Sequence, residues 1–190
     1  MTPIAPSAPL AGVDVLLADL DGVVYASHRA IPHAVDALNA AAASGIRLGY
    51  LTNNASRTPE TVAGQLRELG LDTTPEQIVS SPQAAVGLLG DLVAPGSTVL
   101  VVGGDGLVSE VEKAGFRVTR SAEDQPAAVV QGFAPSVAWT DLAEAAFALR
   151  GGDDGIPWIA TNTDWTIPQE RGTAPGNGTL VSAVHTAVGR

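Results

Sequence analysis

Residues 13–22 read VDVLLADLDG: a short apolar run, Val13 to Ala18, leads straight into Asp19-Leu20-Asp21-Gly22. A run of that length and composition fits a central strand of a parallel sheet, buried on both faces. Open α/β sheets place their ligands at the carboxyl ends of strands, which is where the two acids fall. Alternation with period two sends Asp19 and Asp21 to the same side of an extended chain, and Gly22 lets the backbone turn away immediately afterwards. The same residues also fit a plain Asp-Gly turn closing a strand, and a motif this short does not decide between the two.

The chain on the carboxyl side supplies a second strand end. Pro32 suits a first helical turn, Val35, Leu38 and Ala42 recur at helical spacing, and Gly45 closes the segment. Ile46 to Leu51 then forms the next strand, ending in Thr52-Asn53-Asn54. Strand, helix, strand is a βαβ unit, which brings the two polar strand ends side by side. A threonine hydroxyl and the amides after it can donate to phosphate oxygens. Asparagines in that position also make Asx-turns and caps, so this alternative stays open.

Further along, Thr58-Pro59-Glu60 has the form of a helix start, with Val62, Leu66 and Leu69 as the buried stripe, and a third helix starts near Ser81 and Pro82. After Pro95-Gly96 the alternation begins afresh. Strands are expected over 98–102, 116–118, 128–131 and 158–161, with helices over 107–114 and 139–149. The fold class is therefore α/β with Rossmann-like parallel sheets, and the restart places a boundary near residues 88 to 96.

Composition limits the partners. Hydrophobic residues make up 45% of the 190 and charged residues 16%, a globular balance. Twenty acidic against ten basic residues give a net charge of −10, which opposes binding to nucleic acid or to an anionic membrane surface. A phosphate ligand must then be met locally, by a metal, helix N-termini or backbone amides. There is no cysteine, so disulfides and thiolate metal sites are excluded. Residues 1–12 hold no signal-peptide pattern, and no segment approaches the roughly 20 apolar residues of a membrane span. A cytoplasmic protein is expected.

Leu16 to Tyr25 (LLADLDGVVY), Ile31-Pro32, and Leu51 to Arg57 (LTNNASR) together resemble the haloacid dehalogenase superfamily, type IIA, the nagD-like group of phosphoglycolate, 4-nitrophenyl and glycerol 3-phosphate phosphatases. The similarity runs from Val13 to the end of the chain. It implies a magnesium-dependent hydrolase of small phosphate monoesters, with glycerol 3-phosphate as the best single substrate. By the same resemblance Asp19 is the nucleophile and a metal ligand. Asp21 is the proton donor and acceptor, with its backbone carbonyl as a second metal ligand. Gly22, Thr52, Asn53 and Asn54 line the phosphate. Residues 1–90 become the N-terminal part of the core, 91–180 an inserted α/β cap, and 181–190 a return segment. Asn162 and Asp164 in ATNTDWTIP match a cap loop over the active site. Gly172 to Gly178 match the cap's return, unless Gly176-Asn177-Gly178 merely turn the chain into a helix through Val181 and Val184.

Other signals are weaker. Gly104-Asp105-Gly106-Leu107-Val108-Ser109 approximates a dinucleotide fingerprint, with Ser109 in the third glycine position, and reads more simply as a cap turn. His28, His33 and His185 lack ligand spacing. The family's third motif, a lysine usually in Gly-Lys-Pro, and its fourth, an acidic Gly-Asp loop, have no counterpart here. The only lysine is Lys113, and the sequence ends at Val188-Gly189-Arg190. The expectation is a truncation or fragment that leaves the edge of the Asp19 strand uncovered and prone to pair with a second copy. The alternative is a phosphate-binding or scaffold module without turnover, and a receiver-type phosphoacceptor is more distant still for want of a late lysine.

Overall fold

The computed structural model describes residues 9–150, 155–169 and 171–189, so residues 1–8 of the N-terminal stretch and Arg190 of the return segment lie outside it. The chain opens with strand β1 (Val15–Asp19), a short hairpin of β2 (Tyr25–Ala26) and β3 (Arg29–Ala30), and helix α1 (Ala34–Ala43). It continues through β4 (Arg47–Thr52), α2 (Pro59–Glu68), β5 (Ile78–Ser80) and α3 (Ser81–Leu92). A second run follows: β6 (Thr98–Val102), α4 (Asp105–Lys113), β7 (Arg117–Thr119), β8 (Ala128–Gln131), α5 (Trp139–Ala148) and β9 (Trp158–Ala160). An antiparallel hairpin, β10 (Thr166–Gln169) and β11 (Gly172–Pro175), leads into α6 (Asn177–Val188).

Two parallel sheets organise these elements, one in the order β1-β4-β5 and one in the order β7-β6-β8-β9. In the first sheet, Ala18, Tyr50 and Ile78 pack under Leu38 of α1 and Val62, Ala63 and Leu66 of α2. In the second, α3 and α4 cover one face, with Ala85, Leu89, Leu107 and Val111 against Val99, Val101, Val130 and Ile159. Helices α5 and α6 cover the other, with Ala145, Leu149 and Val184 against Leu100, Val102 and Val129. Helix α3, which follows the last strand of the first sheet, thus buries its apolar side in the second.

Local chemistry explains most element boundaries. Thr58 caps α2 by accepting from Thr61 N at 3.3 Å, with Pro59 at the first helical position. Pro32, by contrast, does not start α1. The chain makes a β-turn closed by Ala34 N to Ile31 O at 3.1 Å, with Pro32 and a left-handed His33 (φ 68°) at its corners, and the helix begins at Ala34. The hairpin β2–β3 has only two residues a side, β10–β11 carries Pro168, Gly172 and Pro175 within its strands, and β5 runs straight into the helix start at Ser81-Pro82, so none of them shows an apolar run as β8 does.

The two sheets differ in one respect. Parallel sheets normally have both faces covered, as the second does. On the first, Val15 (42% exposed), Leu17 (60%), Leu51 (37%) and Val79 (51%) form an apolar face that no described element covers. Strand β1 is also an edge strand among the described residues. Chains carrying this face are expected to self-associate. Sizing chromatography of the 190-residue chain should give species larger than a monomer, and Leu17→Lys with Val79→Lys should shift elution toward the monomer with far-UV circular dichroism unchanged. A parent chain that elutes as a monomer and binds no hydrophobic dye would contradict this.

Candidate active site

Strand β1 pairs with β4 up to Asp19 opposite Leu51, and Leu20 N continues the ladder to Leu51 O at 3.1 Å. Leu20 is fully buried, so its side chain anchors the strand end while Asp19 and Asp21 on either side of it are exposed. The chain then winds tightly around one carbonyl: Leu20 O accepts from Val23, Val24 and Tyr25 N at 3.3, 2.9 and 3.2 Å. Gly22 makes this possible with φ +83°, a conformation costly for any residue with a Cβ, and its N–H bonds Tyr25 O at 2.8 Å. Asp19 is oriented by its own neighbour, since Leu20 N donates to Asp19 Oδ1 at 2.8 Å.

The second strand end lies beside the first. Thr52 is buried, and its Oγ1 accepts from Asn54 N at 3.1 Å. Asn54 turns inward as an Asx-turn, its Oδ1 accepting from Ser56 N at 2.9 Å and from Ser56 Oγ at 2.7 Å. Asn53 faces outward and meets the second unit. Its Nδ2 donates to Asp164 Oδ2 at 2.5 Å, and its carbonyl accepts from Ser81 Oγ at 2.8 Å and from Asn162 Nδ2 at 2.9 Å. A shallow open cleft of about 420 Å³ lies beside these groups, lined by Asp19, Thr52, Asn53, Ser80 and Ser81 and by Leu51 and Val79 of the uncovered apolar face. The site residues taken from the sequence therefore fall into two sets. Asp19, Thr52 and Asn53 line one cleft beside Asp21 and Gly22, whereas Asn162 and Asp164 reach that cleft through Asn53.

One charged residue escaped the sequence list. Arg57 follows the Thr52–Ser56 loop, donates through Nη2 to the Tyr25 hydroxyl at 3.2 Å and through Nη1 to Gln65 Oε1, and sits 5.9 Å from the centre of the Tyr25 ring. Its charge acts on Asp21. Asp21 is exposed as a residue, yet lost hydration around its carboxyl raises the pKa above the ordinary carboxylate value; Arg57 pulls it back down and Asp19 adds a further upward push. Arg57 closes the quoted TNNASR stretch, but only the fold shows that its guanidinium reaches the hairpin. Ser80, the last residue of β5, and Ser81, read from the sequence only as a helix start, were equally illegible as site residues. Lys113 serves elsewhere, bonded to Glu60 and Glu110 at 3.2 and 3.1 Å.

Close backbone packing holds the two units together here. A Cβ on Gly106 would lie 2.4 Å from Arg57 O, one on Gly104 3.2 Å from Ser56 O, and one on Gly132 2.8 Å from the Ala55 Cβ. Gly104 and Gly106 thus make room for the Ser56–Arg57 backbone, so these glycines serve close chain packing. Gly176 and Gly178 do the same against Asp164 O and Thr163 O, where Gly178 N bonds Asp164 O at 2.8 Å. Gly176 is also the N-cap of α6, so this turn both starts the helix and braces the Asp164 loop. Among the described residues no cluster of three or more His, Cys, Asp or Glu is present, and no helix is long and apolar enough to cross a membrane.

Comparison with known proteins gives the family. A family model described as haloacid dehalogenase-like hydrolase matches residues 16–117. The chain is 46% identical over 176 residues to a D-glycerol 3-phosphate phosphatase of Mycobacterium tuberculosis, covering 93% of this chain and 48% of that protein. It is 35% identical over 173 residues to an acid sugar phosphatase of Staphylococcus aureus, covering 91% and 64%. Among solved structures, a glycerol phosphate phosphatase from Mycobacterium tuberculosis in complex with magnesium superposes with a TM-score of 0.85 at 46% identity, over 94% of this chain and 52% of the other. The chain thus spans about half the length of the mycobacterial relative.

The glycine contacts give a direct test. Gly106→Ala should destabilise by about 1–3 kcal/mol, since the neighbour it meets is backbone and cannot rotate away. Gly87→Ala, in the exposed middle of α3 with open space around it, should instead stabilise by about 0.5–1 kcal/mol. Urea unfolding of the two variants beside the parent measures both.

Proposed function

Because the chain belongs to the haloacid dehalogenase-like hydrolases, whose family model matches more than half of it, we propose that it is the nucleophile-bearing part of a phosphatase acting on small phosphate monoesters. The observation that carries this is the placement of Asp19 and Asp21 on either side of buried Leu20, next to Thr52 at the end of the adjacent parallel strand and Asn53 just beyond it. The Asp19 oxygen not engaged by Leu20 N attacks phosphorus, and the ester P–O bond breaks as Asp21 delivers its proton to the departing alkoxide. Water then attacks the aspartyl phosphate and gives its proton to Asp21, and inorganic phosphate separates from Asp19. The raised pKa of Asp21 suits the first of these roles, because it keeps the proton available to higher pH.

Thr52 and the Asn53 backbone amide hold the transferring phosphoryl group, and positioning of this kind carries most of the catalysis in phosphoryl transfer. Two carboxylates beside a phosphate dianion need a counter-charge. The donors offered, the Asp19 carboxylate and the Asp21 carbonyl, are hard oxygens that suit magnesium, which usually takes one or two carboxylates and completes its shell with water and phosphate. Bound there, magnesium supplies neutralisation of phosphate charge and polarisation of the phosphoryl oxygens. The relative crystallised with magnesium supports that choice of ion. Glycerol 3-phosphate is the substrate proposed, after the mycobacterial relative's name. The second α/β unit acts as the cap over the site, and the cytoplasm is the expected compartment.

In the gene product that contains these residues, Asp19→Asn should lower phosphate release from glycerol 3-phosphate by at least about 10³-fold. Chelation with EDTA should abolish the parent's activity and added magnesium restore it. Equal release by parent and variant would sink the nucleophile assignment.

A further inference from the structure

Asn53 is the first residue beyond β4, and its loop is tied down in two ways. Thr52 and Asn54 are satisfied locally, through Asn54 N to Thr52 Oγ1 and through the Asn54–Ser56 turn. The carbonyl and side chain of Asn53 have only distant partners: Ser81, Asn162 and Asp164. We propose that Asp164 is a positioning residue, which with Asn162 clamps Asn53 from the second unit and so sets the orientation of the loop that receives the phosphoryl group. This rests on the assignment of Thr52 and Asn53 to phosphoryl binding.

Three features make the clamp effective. The Asn53 carbonyl accepts two donors, Ser81 Oγ at 2.8 Å and Asn162 Nδ2 at 2.9 Å, which fills both lone pairs. The peptide between Asn53 and Asn54 is therefore held at its oxygen and, through Thr52 Oγ1, at its nitrogen. Second, the bond from Asn53 Nδ2 to Asp164 Oδ2, at 2.5 Å, is charge-assisted, and such bonds are about twice as strong as neutral ones. It also engages one of the two N–H donors of the side-chain amide and turns that amide toward Asp164, while the backbone N–H is the donor assigned to the phosphate.

Third, Asp164 is itself braced. Its N–H donates to Asn162 Oδ1 at 3.2 Å, its carbonyl accepts from Gly178 N at 2.8 Å, and Thr179 Oγ1 donates to the next carbonyl, Trp165 O, at 2.6 Å. Asn162 is fixed in turn by buried Asn177, whose Nδ2 donates to Asn162 O at 2.8 Å. The amino end of α6 thus sets the clamp, and the clamp sets the loop. Asn162 and Asp164 act on the substrate through Asn53.

A double-mutant cycle tests this: parent, Asn53→Ala, Asp164→Ala and the double variant, with Asp164→Asn as the conservative change. Turnover of glycerol 3-phosphate with magnesium is measured in the gene product that contains these residues, and urea unfolding is followed in the same proteins. Asp164→Ala should lower kcat by about tenfold and leave KM within about twofold. The double variant should be no slower than Asn53→Ala alone, and Asp164→Asn, which keeps a carbonyl acceptor, should recover most of the loss. Losses that simply add, or an effect confined to a rise in KM, would overturn the proposal. A parent without turnover, or one indifferent to Asp19→Asn, would instead remove the phosphatase assignment. The unfolding cycle then judges the clamp by itself, non-additive effects supporting it and additive ones ending it.

Discussion

The loop from Thr52 to Arg57 leaves its sheet with polar groups that both halves of the molecule are arranged to satisfy. Where a strand leaves a sheet its peptide groups lose their ladder partners, and those that are buried must find others. Here Thr52, Asn54 and Ser56 satisfy one another, Asn53 is met by Ser81, Asn162 and Asp164, and the backbone of Ser56 and Arg57 is received by glycines of the second unit. The loop is therefore the common surface of two sheets. Ala55, only 1% exposed, is buried in that contact.

This arrangement explains why the second unit carries so many glycines beside strand ends. In an open α/β sheet those positions commonly receive a ligand's phosphate. At Gly104, Gly106 and Gly132 the close approach is made by the first unit's own chain, so the same permissiveness serves docking. Helix α3 completes the connection, since it begins beside Asn53 through Ser81 and buries Ala85 and Leu89 in the second sheet's core.

The acid pair has a different dependence. Asp19 and Asp21 are set by contacts within ten residues: the buried Leu20, the positive φ of Gly22 and the shared carbonyl of Leu20. Their electrostatics is not local. The guanidinium that moderates Asp21 comes from beyond β4 and is held by Gln65 and Tyr25, so the charge balance rests on α2 and the β2–β3 hairpin keeping their places.

That contrast divides what was legible in the sequence from what was not. The apolar run into Asp19-Leu20-Asp21-Gly22, the Thr52-Asn53-Asn54 strand end and the restart after Gly96 disclosed the βαβ order and the parallel sheets, because periodicity and turn chemistry are short-range properties. Strands Thr98–Val102 and Ala128–Gln131 have the predicted bounds for the same reason. The hairpins, broken by Pro168, Gly172 and Pro175 or only two residues a side, and β5, which runs into a helix start, show no apolar run, and Pro32 was misplaced because a turn closed by Ile31 competes with the helix start it otherwise favours. The long-range contacts left no periodic trace, and only the family resemblance put Asn162 and Asp164 near the site. That Arg57 faces Tyr25, that Gly106 receives Arg57, and that Asp164 holds Asn53 follow from how two sheets pack, and packing joins residues whose separation along the chain carries no repeat.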